Sequence, residues 1–127
     1  MKKKIAILLP YKEKYTLKDA AAASIWVKDY LKLSPLKNQT VVFGNLPARK
    51  IPLTNNFINI NLSKVRFKKN YFYTKKFYEN CGKYQFEVIE IHNRPESLVF
   101  LLKKKMPCKF IFVYHNNPQD LRFSKTA

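Results

Sequence analysis

The chain is poor in glycine, arginine and cysteine. Its 127 residues include only two glycines, so the sequence contains no glycine-rich loop that could cradle a phosphate group. Cys81 and Cys108 lack the spacing of a metal site, so we expect reduced thiols and neither a bound metal nor another cofactor. No apolar run approaches the roughly 20 residues that a membrane-spanning helix needs, and no nucleophile-elbow motif is present. The sequence therefore excludes the sites that depend on these motifs.

Positive charge dominates the composition, with 25 lysines and arginines against 8 acidic residues and a net charge of +17. The arginines are only Arg49, Arg66, Arg94 and Arg122. Because arginine leads in base readout and in bidentate phosphate recognition, nucleic acid is not the favoured partner. Lysine enriched together with isoleucine and asparagine is also typical of an AT-rich genome. The remaining charge favours loose attraction to a polyanion, either an anionic membrane surface or a phosphate-bearing substrate.

Short apolar runs alternate with helical patterns along the chain. Strands are predicted at residues 4–9, 40–43, 57–62, 86–91 and 110–114, with helices after the first, third and fourth of them. Such alternation predicts an α/β fold with a parallel sheet and helices on both of its faces. Because right-handed crossovers leave few topologies, we expect a Rossmann-like sheet of about five strands in the spatial order three, two, one, four, five.

The first helix is predicted from a capping box and a one-sided apolar stripe. Thr16 and Asp19 have the spacing of a capping box, which favours a helix start at this point. The stripe recurs at helical spacing and places Trp26 in the core. Its members are Ala23, Trp26, Val27, Tyr30 and Leu31. Ser34 and the proline after it are expected to end the helix.

Breaking and capping residues also bound the other two helices. The second is predicted from about Lys69, with Gly82 as its C-terminal stop. For the third, Asn93 is the expected cap and Pro95 lies in the first turn, where proline is tolerated. The predicted buried stripe of the third helix consists of Leu98, Leu101 and Leu102.

Two histidines follow two strands that should be neighbours. His92 opens the sequence His-Asn-Arg-Pro-Glu, and His115 lies within Tyr-His-Asn-Asn-Pro. The carboxyl ends of parallel strands lie at one edge of the sheet, where ligands bind in open α/β folds. The pKa of histidine suits proton transfer near neutrality, and the ring can also donate to a sugar hydroxyl. The alternative is a pair of structural histidines that are hydrogen-bonded within their loops.

The strand Lys-Ile-Ala-Ile-Leu-Leu-Pro at residues 4–10, the small-residue helix start and the two histidine turns resemble glycosyltransferases of the GT-B type. The chain is most similar to bacterial enzymes that build lipopolysaccharide and other cell-envelope glycans. The resemblance covers residues 1–127 as the N-terminal, acceptor-side domain of that family. It implies a C-terminal domain, outside these residues, that holds most of the nucleotide-sugar donor.

The resemblance also implies where the enzyme acts and what it binds. It would be a cytoplasmic hexosyltransferase that moves a sugar onto a glycan or lipid-linked acceptor, with its basic surface suited to the inner face of the membrane. The polar tail at residues 119–127 ends where a further helix would begin, so we expect the domain to continue. The fragment alone should be inactive.

Particular residues match the family's motifs. His115 matches the family histidine that reaches toward the donor sugar, and it is the expected catalytic residue. The turn after the fourth strand and the loop at residues 11–19 match segments that lie against donor and acceptor. The expected substrate-binding residues are His92, Asn93, Arg94, Glu96, Asn116, Lys18 and Asp19. The chain departs from the family at residues 20–23, where alanines replace the usual glycines that allow close phosphate contact.

Three alternatives remain open. Arg94 either binds an acidic group on the acceptor or forms a salt bridge with Glu96. The aromatic residues within 68–84 either pack on the sheet, stack against bases or sugars, or lie on a membrane surface. The whole chain either belongs to such a transferase or is a basic α/β module that binds a nucleotide or nucleic acid without catalysis.

Overall fold

The computed structural model of the chain describes residues 3–47 and 49–115. Five strands are present: β1 (Ile5–Leu8), β2 (Thr40–Gly44), β3 (Phe57–Asn59), β4 (Val88–His92) and β5 (Lys109–Val113). The helices are α1 (Ala22–Leu33), α2 (Lys69–Cys81) and α3 (Pro95–Leu102), with a short 3-10 turn at Lys37–Gln39. Within the described residues, no helix is both long and apolar enough to cross a membrane.

The five strands form one parallel sheet in the order β3-β2-β1-β4-β5. This order and the α/β, Rossmann-like class are those predicted from the alternating pattern, so both predictions are confirmed. β1 lies at the centre, where Ile5 is level with Thr40 of β2 and with Val88 of β4. The chain leaves β1 toward β2 and β3 and then returns to the other side of β1 as β4. The crevice between β1 and β4 is therefore the switch point of the sheet, the place where such folds bind ligands.

Helices cover both faces of the sheet, and the side chains of β1 alternate between them. On one face, α1 buries Val27 and Leu31 against Ile7 and Leu9. On the other face, α2 and α3 form a larger core with alternate residues of the sheet. The buried members of that core include Ala6, Leu8, Phe43, Tyr73, Phe77, Ile89, Ile91 and Leu101. Since α1 is the single helix on its face within the described residues, part of that face stays open beside β4 and β5.

The start of α1 differs from the prediction. Thr16 and Asp19 do bond to each other, with the Asp19 N–H 3.2 Å from Thr16 Oγ1, but they close an isolated turn. The helix begins later, at Ala22, where no side chain of the preceding residue caps it. The carboxylate of Glu13 does so from outside, because its Oε2 accepts the N–H groups of Ala21 at 3.1 Å and Ser24 at 3.0 Å. A carboxylate at this position also suits the positive end of the helix.

The core position of Trp26 is a wrong prediction. Ala23, Val27 and Leu31 are buried as expected, but Trp26 is 38% exposed and its ring stacks on Tyr30 at 5.3 Å. The reason is that this edge of the stripe faces the open region beside β4 and not the sheet centre. Leu102 is also wrongly predicted as buried, because it is the last residue of α3 and is 52% exposed.

The bounds of α2 and the first residue of α3 agree well with the sequence. α2 begins at Lys69 and is followed by Gly82, as predicted. Pro95 is the first residue of α3, but the residue before it is Arg94, so the cap predicted at Asn93 is wrong. Asn93 instead adopts a left-handed backbone with φ of 61°. Asparagine tolerates this conformation better than most residues, and the turn redirects the chain from β4 into α3.

Candidate functional site

The ends of β4 and β5 bring the two histidines into contact. His92 is level with Val113 in the sheet, and His115 follows two residues later. The rings lie nearly parallel with centroids 5.0 Å apart, and His92 Nδ1 is 2.8 Å from His115 Nε2. This contact is a hydrogen bond between two imidazoles. The pairing predicted from the two strand ends is therefore present, although the sequence did not reveal that the rings would bond directly.

Asn93 fixes this geometry through the backbone. Its N–H donates to the carbonyl oxygen of Val113 at 2.9 Å, and its side-chain Oδ1 accepts the N–H of His115 at 2.7 Å. Asn93, which directly follows His92, thus extends the pairing of β4 and β5 beyond the sheet. The backbone of His115 is held at the same height as the end of β4.

The position of Glu90 indicates which ring nitrogen of each histidine carries the proton. Its Oε2 lies 3.6 Å from His92 Nε2, and that nitrogen is buried without a hydrogen-bond partner among the described residues. A carboxylate at this distance favours the proton on His92 Nε2, because the alternative would direct a lone pair at a negative charge. We therefore assign His92 Nδ1 as the acceptor and His115 Nε2 as the donor. This assignment leaves His115 Nδ1 with its lone pair, able to accept a proton or a hydrogen bond.

Trp26 shields the pair from one side. Its ring centroid lies 5.3 Å from that of His92 and 6.0 Å from that of His115, in edge-on contact with each. His92 is fully buried, whereas His115 is partly buried. Burial and the neighbouring His92 lower the pKa of His115 below its ordinary value of 6.5, while Glu13 and Glu90 act in the opposite direction. His115 is therefore neutral at pH 7, the state in which its Nδ1 can accept a proton.

Three neighbouring cavities open along the same edge of the sheet. The smallest, of about 210 Å³, lies at the switch point between Pro10 and Arg94. One of about 450 Å³ lies between the starts of α2 and α3, and one of about 810 Å³ lies over the ends of β2 and β3. Lys12 lines all three cavities, and Arg94 lines the first two. The histidine pair does not line these cavities. Glu13, however, lines the smallest of them, and its carboxylate acts to raise the pKa of His115.

The predicted site residues fall into three groups. His92 and His115 form the buried pair, with His92 reaching no solvent. Asp19, Asn93 and Arg94 line the switch-point cavity, and Glu96 joins Arg94 in the cavity of about 450 Å³. Lys18 is exposed and lines none of the three cavities. Asn116 lies outside the described residues.

Sequence reasoning missed three residues of this region. The sequence pattern places Glu13 in a basic loop and Glu90 in a strand, and the helical stripe predicts that Trp26 is in the core. A signal for Glu90 is available in hindsight, because it precedes His92 by two residues and a strand places such neighbours on one face. Nothing in the sequence indicates that Glu13 reaches the start of α1, eight and eleven residues away.

One of the two alternatives for Arg94, the salt bridge with Glu96, can be checked from its contacts. Within residues 3–47 and 49–115, the one approach of a basic to an acidic side chain within 4 Å is that of His92 to Glu90. The salt bridge of Arg94 with Glu96 is therefore not formed. The guanidinium instead lies over the ring of Tyr11, with its central carbon 5.8 Å from the ring centroid.

Most of the aromatic residues of α2 pack on the sheet or on α3. Tyr73 and Phe77 are fully buried, and the Tyr73 hydroxyl donates to the carbonyl oxygen of Leu9 at 2.5 Å. Tyr71 contacts Phe100 of α3 as well, but 48% of it stays exposed beside the cavity of about 450 Å³. Packing therefore explains the buried members, while Tyr71 remains available to a ligand.

A further cavity of about 650 Å³ opens at the opposite edge of the sheet and contains both cysteines. Cys81 is buried and Cys108 is partly buried, and both are free thiols. Burial, reinforced by Cys108, raises the pKa of Cys81 to about 12. The thiol of Cys81 therefore stays protonated near neutral pH, which makes it a poor nucleophile.

Comparison of the chain with models of known protein families, with curated proteins and with solved structures found no match. Within the described residues, no group of three or more histidine, cysteine, aspartate or glutamate side chains is arranged to hold a metal ion.

Proposed function

We propose that this chain is the acceptor-side domain of a glycosyltransferase of the GT-B type, which moves a sugar from a nucleotide-sugar donor to a cell-envelope glycan. The observation that carries the proposal is the polarised histidine pair at the carboxyl ends of β4 and β5. His115 is neutral, and its Nδ1 carries a lone pair in our assignment. That atom is suited to accept a hydrogen bond or a proton from a sugar hydroxyl.

The two rings have different roles, because His92 is buried and His115 is partly accessible. Glu90 orients His92, and His92 in turn accepts a hydrogen bond from His115. Positive charge that develops on His115 during proton transfer is then stabilised by the two carboxylates of Glu13 and Glu90, both of which raise its pKa. General-base or hydrogen-bonding roles of this kind typically contribute 10²–10⁴-fold to a rate.

The alanine-rich start of α1 bears on how the donor is held. The N–H groups of Ala21 and Ser24, which a phosphate would need at this helix start, already donate to Glu13. Phosphate binding at this helix start is thus disfavoured by an occupied cap and a negative charge. This arrangement agrees with a division of labour in which a second domain holds the donor phosphates and this domain addresses the sugar and the acceptor.

The test uses the native gene product. Its intact mass is measured first, and the proposal expects a chain of two to three times this length, with room for two domains of ordinary size. Sugar transfer is then assayed with a panel of nucleotide sugars and envelope glycans. His115→Gln should reduce kcat by about 10²-fold or more, and circular dichroism should show that the variant remains folded under the conditions of the assay. Full activity of the His115→Gln variant would contradict the proposal, as would a native product of about 15.1 kDa.

A second candidate is a nucleotide- or nucleic-acid-binding module without catalysis. The observation that favours it is the cavity of about 810 Å³ over β2 and β3, whose charged lining residues are all basic. They are Lys12, Lys14, Arg66 and Lys69. Tight binding of a nucleotide by the 127-residue chain alone, with amide protection near Pro10, would favour this module over the transferase. Weak binding that fades as salt is added indicates charge attraction only.

A further inference from the structure

The cavity of about 450 Å³ between α2 and α3 combines aromatic walls with positive charge. Tyr11, Tyr71 and Phe100 form aromatic parts of its wall, and Tyr71 and Phe100 meet edge-on at 5.6 Å. Its charged lining residues are Lys12, Lys68, Arg94 and Glu96. A cavity of this composition suits a ring that carries an acidic substituent, because the ring can stack while the cations hold the charge.

Among the described residues that line this cavity, Arg94 has a buried polar atom without a partner. Its Nε is buried and has no hydrogen-bond partner among the described residues. Its guanidinium carbon lies 5.8 Å from the ring centroid of Tyr11, and Lys12 Nζ lies 5.9 Å from the same centroid. Two cations are thus placed around one ring, and no carboxylate of the described residues lies within 4 Å of either. A bound anion would pair with the terminal nitrogens of the half-buried guanidinium and offset the repulsion between the cations.

The two helices that begin at this cavity add to its positive potential. α2 follows Lys68 and α3 follows Arg94, and neither preceding residue makes a side-chain cap to its helix. The first turn of α2 contains no acidic residue. Lys68 also has a left-handed backbone with φ of 50°, a conformation that is uncommon for lysine and is found at binding sites more often than elsewhere. The first turns of both helices therefore line the cavity together with the cations, although the Glu96 carboxylate in the first turn of α3 offsets part of the positive potential of that helix.

We propose that this cavity binds a sugar ring bearing a phosphate or a carboxylate, with Arg94, Lys12 and Lys68 holding the anionic group and Tyr71 and Phe100 contacting the ring. The inference rests on the proposed function in one respect, since it makes the acceptor an acidic glycan. The binding itself requires neither the histidine pair nor a second domain. It can therefore be measured on this chain independently of sugar transfer.

The experiment follows the NMR signals of the 127-residue chain during titration with four probes. Glucose 6-phosphate and glucuronic acid carry the two kinds of acid, glucose carries none, and inorganic phosphate has no ring. At roughly 0.15 M salt, where exposed charges are screened beyond about 8 Å, we expect at least one acidic sugar to shift the signals of Tyr71 and Phe100. Glucose and inorganic phosphate should bind more weakly. The stronger of the two acidic sugars identifies the acidic group.

Two variants of equal charge separate the site from the overall charge. Arg94→Gln removes the guanidinium in the cavity, and Arg49→Gln removes an exposed one that lines none of the cavities described above. Loss of a charge-assisted bidentate contact should weaken binding of the acidic sugar by about tenfold or more in Arg94→Gln, with little change in Arg49→Gln. A third variant, Tyr71→Ala, should weaken binding of the acidic sugar more than that of phosphate.

Several outcomes would overturn the inference: no acidic sugar binds, glucose binds as well as an acidic sugar, or the Arg94 and Arg49 variants lose affinity equally. His115→Gln should leave this binding unchanged. If the native product transfers no sugar while acidic sugars still bind in an Arg94-dependent manner, the transferase proposal fails and the anion site stands. If transfer occurs but acidic sugars do not bind, the anion site fails alone.

Discussion

The two faces of strand β4 bury different kinds of side chain. Toward α2 and α3, Ile89 and Ile91 are fully buried in an apolar core. Toward α1, Glu90 and His92 are buried as well, but against each other and, for His92, against Trp26. One strand of five residues therefore contributes both to the core and to the candidate site. The comparison shows that alternation along a strand lets a buried polar pair exist without disturbing the apolar packing a few ångströms away.

The helix layer accounts for the difference between the faces. Two helices cover one face, whereas α1 is the single helix on the other within the described residues. Ile111 of β5 lies level with Glu90 on the α1 face and is 49% exposed. The polar pair thus occurs at the margin of the covered region, where part of the sheet remains open to a ligand or partner.

The largest expected effect is on the packed face. Ile91→Ala should lower the free energy of unfolding by about 2–5 kcal/mol, because it removes buried methyl groups and leaves a cavity. Ile111→Ala is the matched control, since it makes the same change on a neighbouring strand and the opposite face. Its effect should be well below that of Ile91→Ala, because half of the side chain is already in water. Urea unfolding measures both variants, and equal losses would show that the two faces do not differ in packing.

The second-largest expected effect concerns the cap that Glu13 provides at the start of α1. Glu13→Ala should lower the free energy of unfolding by about 0.5–2 kcal/mol, because two N–H groups at the start of α1 lose their acceptor. Asp29→Ala, on the exposed surface of the same helix, is the control and should change stability little. Circular dichroism during urea unfolding provides the measurement. A Glu13 variant as stable as the Asp29 variant would mean that the outside cap contributes nothing.

The polar face of β4 should also make the free energy of unfolding depend on pH. Because burial lowers the pKa of His115 below 6.5 in the folded chain, the unfolded chain takes up this proton first as the pH falls. The contribution of His115 to stability is therefore complete above pH 6.5 and is lost as the pH falls through its folded pKa. The urea midpoint of wild type should fall more than that of His115→Gln between about pH 8 and about pH 5. Parallel profiles for the two proteins would contradict this assignment.

The smallest expected effect tests the shielding by Trp26. Trp26→Leu exposes the histidine pair to more water, so the pKa of His115 should move upward toward 6.5. NMR titration of the ring protons measures this pKa in both proteins. Tyr30→Leu is the control, because Tyr30 stacks on Trp26 but has no described contact with either histidine. A shift of the same size in both variants would assign the effect to a general loosening of α1.

The sequence was most informative where a pattern repeats over several residues. The order of elements, the parallel sheet and its strand order followed from apolar runs and crossover geometry, and α2 was bounded correctly at Lys69. The start of α1 was missed because a bond between Thr16 and Asp19 fits a capping box and an isolated turn equally well. Local spacing does not distinguish these two, since the decision depends on where Glu13 lies.

The candidate site was predictable in position but not in composition. Two histidines at the ends of adjacent parallel strands must be close, and they are. That Glu90 approaches His92 and that Trp26 covers both rings depends on which face of the sheet the helices leave open. A helical stripe indicates which side of the helix packs against the sheet, but it does not indicate how far the packed surface extends. Trp26 was therefore assigned to the core when it lies at the margin.

Asn93 has a consequence for how this protein can change over evolutionary time. Its side-chain oxygen accepts a hydrogen bond from the backbone N–H of His115 and not from the imidazole. Its own backbone N–H donates to the carbonyl oxygen of Val113. Any residue at position 115 with a backbone N–H can keep this attachment, so the frame tolerates a change of chemistry at its tip. Asn93 itself has fewer substitutes, because its left-handed backbone and its amide are both in use. We therefore expect the fold to tolerate fewer substitutions at position 93 than at position 115, where the side chain can change while the backbone contact is kept.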